Sequence, residues 1–218
     1  MPAPSPSSPG YLWVLSEPGS QATVDEFQDW YDNEHVPLRM QHISEFHTGA
    51  RYAAADGQLP GWSAAYDIES VALFSDDKYT RLRANRSPRE GALVARLEVL
   101  DRRTAETLGQ TSPPPPASEA PKFVLTAAGE DRPEEKDLKV FEGVEGWRRS
   151  HYHSIYDSLV IGHGKETKSN VAPKFVMVHE FDSEAYVSSP AFATATGGKT
   201  EVRRWKLYKA TPNTASKA

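Results

Sequence analysis

The sequence of 218 residues contains no cysteine. That excludes disulfides, thiolate catalysis, iron–sulfur clusters and cysteine-bound zinc, and a cytoplasmic setting is the default expectation. There is no run of about 18 apolar residues, so no membrane-spanning helix is expected. The opening MPAPSPSSPG lacks a basic segment followed by an apolar one, which predicts no export signal and a disordered tail over residues 1–10. Dense basic runs are missing as well. With 25 Lys and Arg against 30 Asp and Glu, the formal net charge of -5 does not suit nucleic-acid phosphates. What is present, 38% apolar and 25% charged residues, is the composition of a globular chain that buries a core.

The most informative stretch is TVDEFQDWYDNEHVPLRM, residues 23–40. Thr23 followed three residues later by Glu26 reads as a capping box that opens a helix. Phe27, Trp30, Tyr31 and Leu38 fall on one face of it. Pro37 has no N–H and disfavours helical geometry at the residue before it, so the helix is predicted to end or kink there. Asp32, Glu34 and His35 then sit at a helix C-terminus, whose dipole favours an imidazolium and disfavours carboxylates. Three ionisable groups at that position point to chemistry. The structural alternative is that His35 merely bonds the final carbonyls.

Taken in order, strand-like runs occupy residues 11–16, 44–54, 62–68 and 98–105, with helical patterns over 23–40, 73–84 and 88–97. Residues 113–121 form a proline-rich linker predicted to be extended. The pattern then restarts: strands at 122–127, 147–155, 174–181 and 202–210, short helices at 134–141 and 183–194, and a loop over 162–172. This predicts two βαββαβ repeats, at residues 11–112 and 122–212, with a tail at 213–218. Two such α+β units can bury their uncovered sheet faces against each other as a barrel with helices outside.

The run FQDWYDNEHVPLRM, with TGARY, WSAAYDI, YTRLRANRSPRE and LDRR after it, resembles fungal EthD-like proteins of the dimeric α/β-barrel superfamily. GWRRSHYH and MVHEFDSEAY are similar to the degenerate second repeat of those proteins. The resemblance implies tandem ferredoxin-like repeats that form an α/β barrel within one chain. It also implies cofactor-free cyclase, decarboxylase or dehydratase chemistry on polyketide or aromatic molecules, or quinone-forming oxygenation, with a histidine in the H-x-P context of His35.

The residues support a compatible chemistry. His35 is the candidate general acid or base, with Asp32 and Glu34 as its tuning carboxylates. Asp32 and His35 have the i,i+3 spacing of a metal-binding pair, but no HxH or HxxxH partner lies nearby, and no metal is expected. Trp147, Arg149, His151 and His153 alternate along one strand. Facing inward they make a polar floor for a ligand, and facing outward a basic edge. The match of Phe46 with Trp147 in the two repeats favours inward. Tyr31, Arg51, Tyr52, Tyr66 and His179 are further candidates for binding a substrate in the same cavity. Arg81, Arg83, Arg86 and Arg89 read as a solvated helix face rather than an anion clamp. The expected function is a cofactor-independent lyase or isomerase for a hydrophobic small molecule, in a chain compatible with a homodimer. The rivals are a non-catalytic binding or stress-associated protein and a cofactor-free oxygenase.

Overall fold

In the computed structural model, which describes residues 4–216, nine strands form one sheet. They are β1 (Gly10–Glu17), β2 (Ala50–Ala54), β3 (Trp62–Ile68), β4 (Val99–Gln110), β5 (Phe123–Gly129), β6 (Trp147–Ile161), β7 (Lys168–Ser169), β8 (Phe175–Phe181) and β9 (Glu201–Ala210). The order is β4-β1-β3-β2-β9-β5-β8-β6-β7 with antiparallel neighbours throughout. A further antiparallel ladder between β4 and β6, from Leu100↔Ile161 to Gln110↔His151, closes eight of these strands into a barrel.

Helices lie outside. They are α1 (Val24–Trp30), α2 (Pro37–Met40), α3 (Asp77–Ala84), α4 (Pro88–Val94) and α5 (Pro190–Thr196). The helices predicted over 73–84 and 183–194 each divide into a 3-10 turn followed by an α-helix. The first break is at Asp76, which leaves the helical region and caps α3 by accepting from the Lys78 N–H. The second is at Ser189, ahead of Pro190. β2 starts at Ala50 rather than 44, because the Thr48 side chain takes the Asp67 N–H that a longer ladder would use, at 2.9 Å. β4 and β6 run longer than their patterns suggest, since each is the other's partner across the closure.

β1 packs on both of its faces. Tyr11, Trp13 and Leu15 of β1 point into the barrel with Tyr52, Val124, Val178 and Trp205. Leu12 and Val14 point outward, against Phe27, Trp30, Met40 and Leu93 of the helical layer. On the opposite side Leu125 and Phe181 pack outward against Phe141 and Tyr186. Among the described residues no helix is long and apolar enough to cross a membrane.

The proline-rich segment lies across one mouth of the barrel. Pro115, Pro116, Ala117, Ala120 and Pro121 close a cavity of about 30 Å³ over Tyr11, Tyr52, Asp67 and Glu180. Both ends of the described chain are held to the body. Thr107 N donates to Pro9 O at 2.8 Å and Val71 N to Ser8 O at 2.9 Å, so residues 4–9 of the expected tail are tied to β4 and the turn before α3. Residues 1–3 lie outside the described part. Near the other end the Asn213 amide donates to Ile43 O at 2.9 Å and to Phe46 O.

Beneath the linker Arg149, 2% exposed, sits between two carboxylates. Its Nε donates to Glu180 at 2.8 Å and its Nη2 to Asp67 at 3.1 Å. Removing one member of a buried ion pair strands the other charges, at a cost of roughly 3–5 kcal/mol. Arg149→Met is expected to lower the urea-unfolding free energy by about that amount. A loss under about 1 kcal/mol would mean that the triad is solvated and contributes as a surface pair does.

Candidate active site

The helix carrying His35 does not stop at Pro37. Tyr31–His35 widen into a π-helical turn, Val36 keeps helical angles (φ -72, ψ -46), and α2 follows directly. Pro37 has no N–H to give, and the chain compensates one residue earlier, where Val36 N reaches back five residues to Tyr31 O at 3.0 Å. In a π turn residues five apart come into line. Accordingly the His35 ring lies 4.5 Å from that of Trp30 and 5.0 Å from that of Tyr31. His35 is therefore inside a continuous helix, and the helix-end field expected to favour an imidazolium is not there.

The ring is turned toward the outer face of β1 and β3. Its side chain is 16% exposed, and Nδ1 lies 3.1 Å from Glu90 Oε1. Glu90 is 4% exposed and sits at the start of α4, where its N–H is capped by Ser87 Oγ at 3.0 Å. A carboxylate only accepts, so Nδ1 carries the hydrogen and Nε2 is left with a lone pair. Around the pair, a hollow of about 40 Å³ is walled by Leu12, Val14, Tyr66, Tyr79 and Leu100 and edged by Arg39, Arg83, Arg86 and Arg102. Arg39 is buried and bonds His35 O through Nη1 at 2.6 Å, while its Nε, the Arg102 Nε and the Tyr66 hydroxyl have no hydrogen-bond partner among the described residues. Arg83 and Arg86 are exposed at the mouth.

Burial and the Arg39 cation outweigh Glu90 and lower the His35 pKa from 6.5 to about 4. Burial pushes the Glu90 carboxyl up, but the His35 bond and the nearby Arg39 and Arg86 carry it below the ordinary value. At neutral pH this is a neutral imidazole, oriented by an ionised carboxylate and surrounded by guanidinium groups. Such an arrangement can take a proton from a ligand and hold the resulting anion.

A second polar group lies within the barrel, on the other side of the sheet. His151 Nε2 is 3.1 Å from Glu180, His151 Nδ1 is 2.6 Å from His153 Nε2, and His153 Nδ1 is 3.1 Å from Thr107 Oγ1. Because Glu180 must accept, His151 donates through Nε2, His153 donates to His151, and Thr107 donates to His153. Both rings are neutral, with pKa values pushed well below the ordinary range, chiefly by burial. Tyr11 stacks on His153 with centroids 4.1 Å apart.

No protein-family model matches the sequence, and no curated protein matches it either. Among solved structures the fold is similar to that of an anthrone oxidase-like protein, with a TM-score of 0.58 and 9% identity over 97% of both chains. It is also similar to a protein of Fusobacterium nucleatum subsp. nucleatum provisionally named a monooxygenase. There the TM-score is 0.51 and the identity 10%, over 94% of this chain and 95% of that one. What is shared with both is the fold.

The structure divides the sequence-predicted site residues between the two faces of the sheet. Asp32 pairs with Arg51 at 2.8 Å and with Lys209 at 3.0 Å. Glu34 bonds Ser87 and lies 3.8 Å from Arg89. Neither is the carboxylate paired with His35. Arg51 faces outward and lies 4.2 Å over the Tyr31 ring. Tyr66 faces outward too, into the His35 hollow, and His179 outward beneath the other helical layer beside Phe141. Only Tyr52, Arg149, His151 and His153 point into the barrel with Glu180. Trp147 does not join them: a β-bulge between Trp147 and Arg149 reverses the alternation and turns the indole outward, into the cluster around Phe141 and Phe181. Arg83 and Arg86 edge the hollow, whereas Arg81 pairs with Asp77 and Arg89 with Asp29, so the arginine group is half solvated face and half pocket rim.

Sequence reasoning missed Glu90 and the two buried-side arginines, Arg39 and Arg102. Ser87-Pro-Arg-Glu90 reads as a capping box whose Glu would bond its own helix start, and nothing local signals that the side chain turns to His35 instead.

His35 also affects acid stability. The unfolded chain binds a proton at this residue near pH 6.5, and the folded chain does so only near pH 4. The unfolded state therefore binds more protons within that window, and stability is lost as the pH falls through it. His35→Gln is expected to flatten the pH dependence of the unfolding free energy there by up to roughly 1.4 kcal/mol per pH unit. An unchanged slope between the two proteins would contradict the burial of a neutral imidazole.

Proposed function

We propose that this chain is a cofactor-independent acid/base enzyme that acts on an aromatic or polyketide-like small molecule, with His35 as the base. The observation that carries the reading is the neutral His35 held by Glu90 at 3.1 Å beside Arg39 and Arg102, whose Nε groups lack partners. His35 Nε2 takes a proton from a C–H next to a carbonyl, and the electron pair left behind moves onto the carbonyl oxygen as an enolate. Arg39 and Arg102 hold that oxygen, while Glu90 stabilises the imidazolium as it forms. The enolate carbon then attacks a second carbonyl of the same molecule, whose oxygen takes the proton back from the imidazolium, or a β-hydroxyl leaves as water with that proton. In a decarboxylation the enolate pair comes instead from the C–C bond that releases carbon dioxide. Arg83 and Arg86, long side chains at the exposed mouth, swing aside to admit a ligand larger than the hollow.

The same reading treats the halves as tandem ferredoxin-like repeats of the dimeric α/β-barrel kind, at residues 11–112 and 122–212. In its support, β4-β1-β3-β2 and β9-β5-β8-β6 are each a fourth-first-third-second order within their own half. A cofactor-free oxygenase would begin from the same carbanion and differ in consuming oxygen.

Anthrone, whose acidic methylene lies between two aromatic rings, is a suitable probe. In deuterated buffer the protein is expected to accelerate exchange of that methylene, with His35→Ala losing about 10²–10⁴-fold of the acceleration. The acid limb of the rate profile should fall near pH 4 rather than 6.5, following the depressed His35 pKa. Exchange that is unaffected by His35→Ala would remove the assignment. Oxygen uptake that keeps pace with anthrone loss would favour the oxygenase.

A further inference from the structure

His179 occupies the fifth of seven positions in β8, as Tyr66 does in β3, and like Tyr66 it faces outward under a helical layer. The layer there is thinner. Between the 3-10 turn Glu135–Lys139 and the end of α5 it leaves a cavity of about 230 Å³ with His179 on its wall. The ring is 0% exposed, and its Nε2 has no hydrogen-bond partner among the described residues.

Its tautomer follows from its neighbours. Trp147 Nε1 donates to Ser150 Oγ at 3.0 Å, and Ser150 Oγ lies 2.8 Å from His179 Nδ1. The serine hydrogen has no other acceptor in hydrogen-bond reach among the described residues, so it goes to Nδ1. The ring hydrogen is then on Nε2, the unpartnered atom. Burial and the nearby Lys199 ammonium lower the pKa of the ring to about 3, which keeps it neutral.

Lys199 also lines the cavity and makes no ion pair among the described residues. Asp137 lines the cavity too, and one of its oxygens accepts from the Glu134 N–H at 2.8 Å. Val140, Met177 and Ala195 supply apolar wall. A buried N–H and a lysine without an ion pair, on the wall of one largely polar cavity, are what a carboxylate requires, and Val140, Met177 and Ala195 leave a place for the body attached to it.

We propose that the C-terminal half carries a second small-molecule site, separate from the His35 hollow, in which His179 Nε2–H and Lys199 bind the carboxylate of a compact apolar acid. Benzoate is the probe, and the histidine side-chain nitrogens, followed by NMR in the intact chain, give a readout local to this cavity. Free His179 should show a protonated Nε2 and an unprotonated Nδ1. Benzoate should move the Nε2–H resonance saturably, and Lys199→Met should weaken that response about tenfold without altering the tautomer. His179→Phe should abolish saturable shifts on the amides of Val140 and Lys199. A His179 ring protonated on Nδ1 would overturn the proposal. So would the absence of a saturable benzoate response at His179, or a response of equal affinity in Lys199→Met.

Discussion

The ladder between β4 and β6 is the constraint on which the molecule depends. Without it both strands would be open edges, each a long row of unpaired N–H and C=O groups. Once the barrel is closed the sheet has an inside, and that inside must be filled by the chain's own alternating side chains. Arginines packed on tryptophans do much of the filling: Arg103 lies 4.7 Å over Trp13 and Arg203 4.4 Å over Trp205. Each has carboxylates to hand, Asp101 and Glu201 for Arg103 and Asp56 for Arg203. A level away, where Tyr11 pairs with Asp67, Arg149 is set between Asp67 and Glu180. The interior thus consists of aromatic rings between satisfied ion pairs around a cavity of about 30 Å³, close in size to the His35 hollow of about 40 Å³. The cavity of about 230 Å³ beside His179 lies outside the barrel, under the helices.

That separation changes the meaning of the histidines. One sheet divides His35 from His151 and His153, and the two groups have different surroundings. The His151–His153 pair has every nitrogen engaged in a directed row from Thr107 to Glu180, which suits a framework that fixes strand register more than a reacting centre. The His35 ring has one nitrogen engaged and one not, beside cations whose own donors are incomplete. Burial lowers the pKa in both places. What differs is the unfinished hydrogen bonding, and reactive sites are built from groups that a substrate completes.

Much of the architecture could be read from the chain. Strand positions and the idea of a barrel follow from period-two patterns and turn residues, and these are local properties. What escaped is non-local or depends on one inserted residue. Pro37 suggested a helix end or kink because proline removes a donor, and what forms is an irregularity and not an end: a π turn absorbs the loss by reaching back from Val36 to Tyr31. Trp147 fell on the wrong face because a single bulge shifts the period by one. His35 was found in the sequence through its neighbours Asp32 and Glu34, but its partner Glu90 is 55 residues away on another helix. A histidine in an irregular helix is visible to sequence reasoning, and the carboxylate that the fold brings to it is not.

The coverings of β3 and β8 differ for a physical reason. Over β3 the π turn keeps Trp30, Tyr31 and His35 on the sheet, and α2 and α4 complete a layer tight enough to bury Glu90 against the imidazole. Between β5 and β6 there is only a five-residue 3-10 turn, and β8 is covered by Phe141 and Tyr186 but not sealed. Asp137, the carboxylate on this cavity, bonds the Glu134 N–H and not His179, and Ser150 sets that ring's tautomer from within the sheet. The outward fifth position of β3 therefore meets a guanidinium-rimmed hollow, and that of β8 a lysine-edged one. The number of residues between β1 and β2, and between β5 and β6, decides which chemistry the sheet can present.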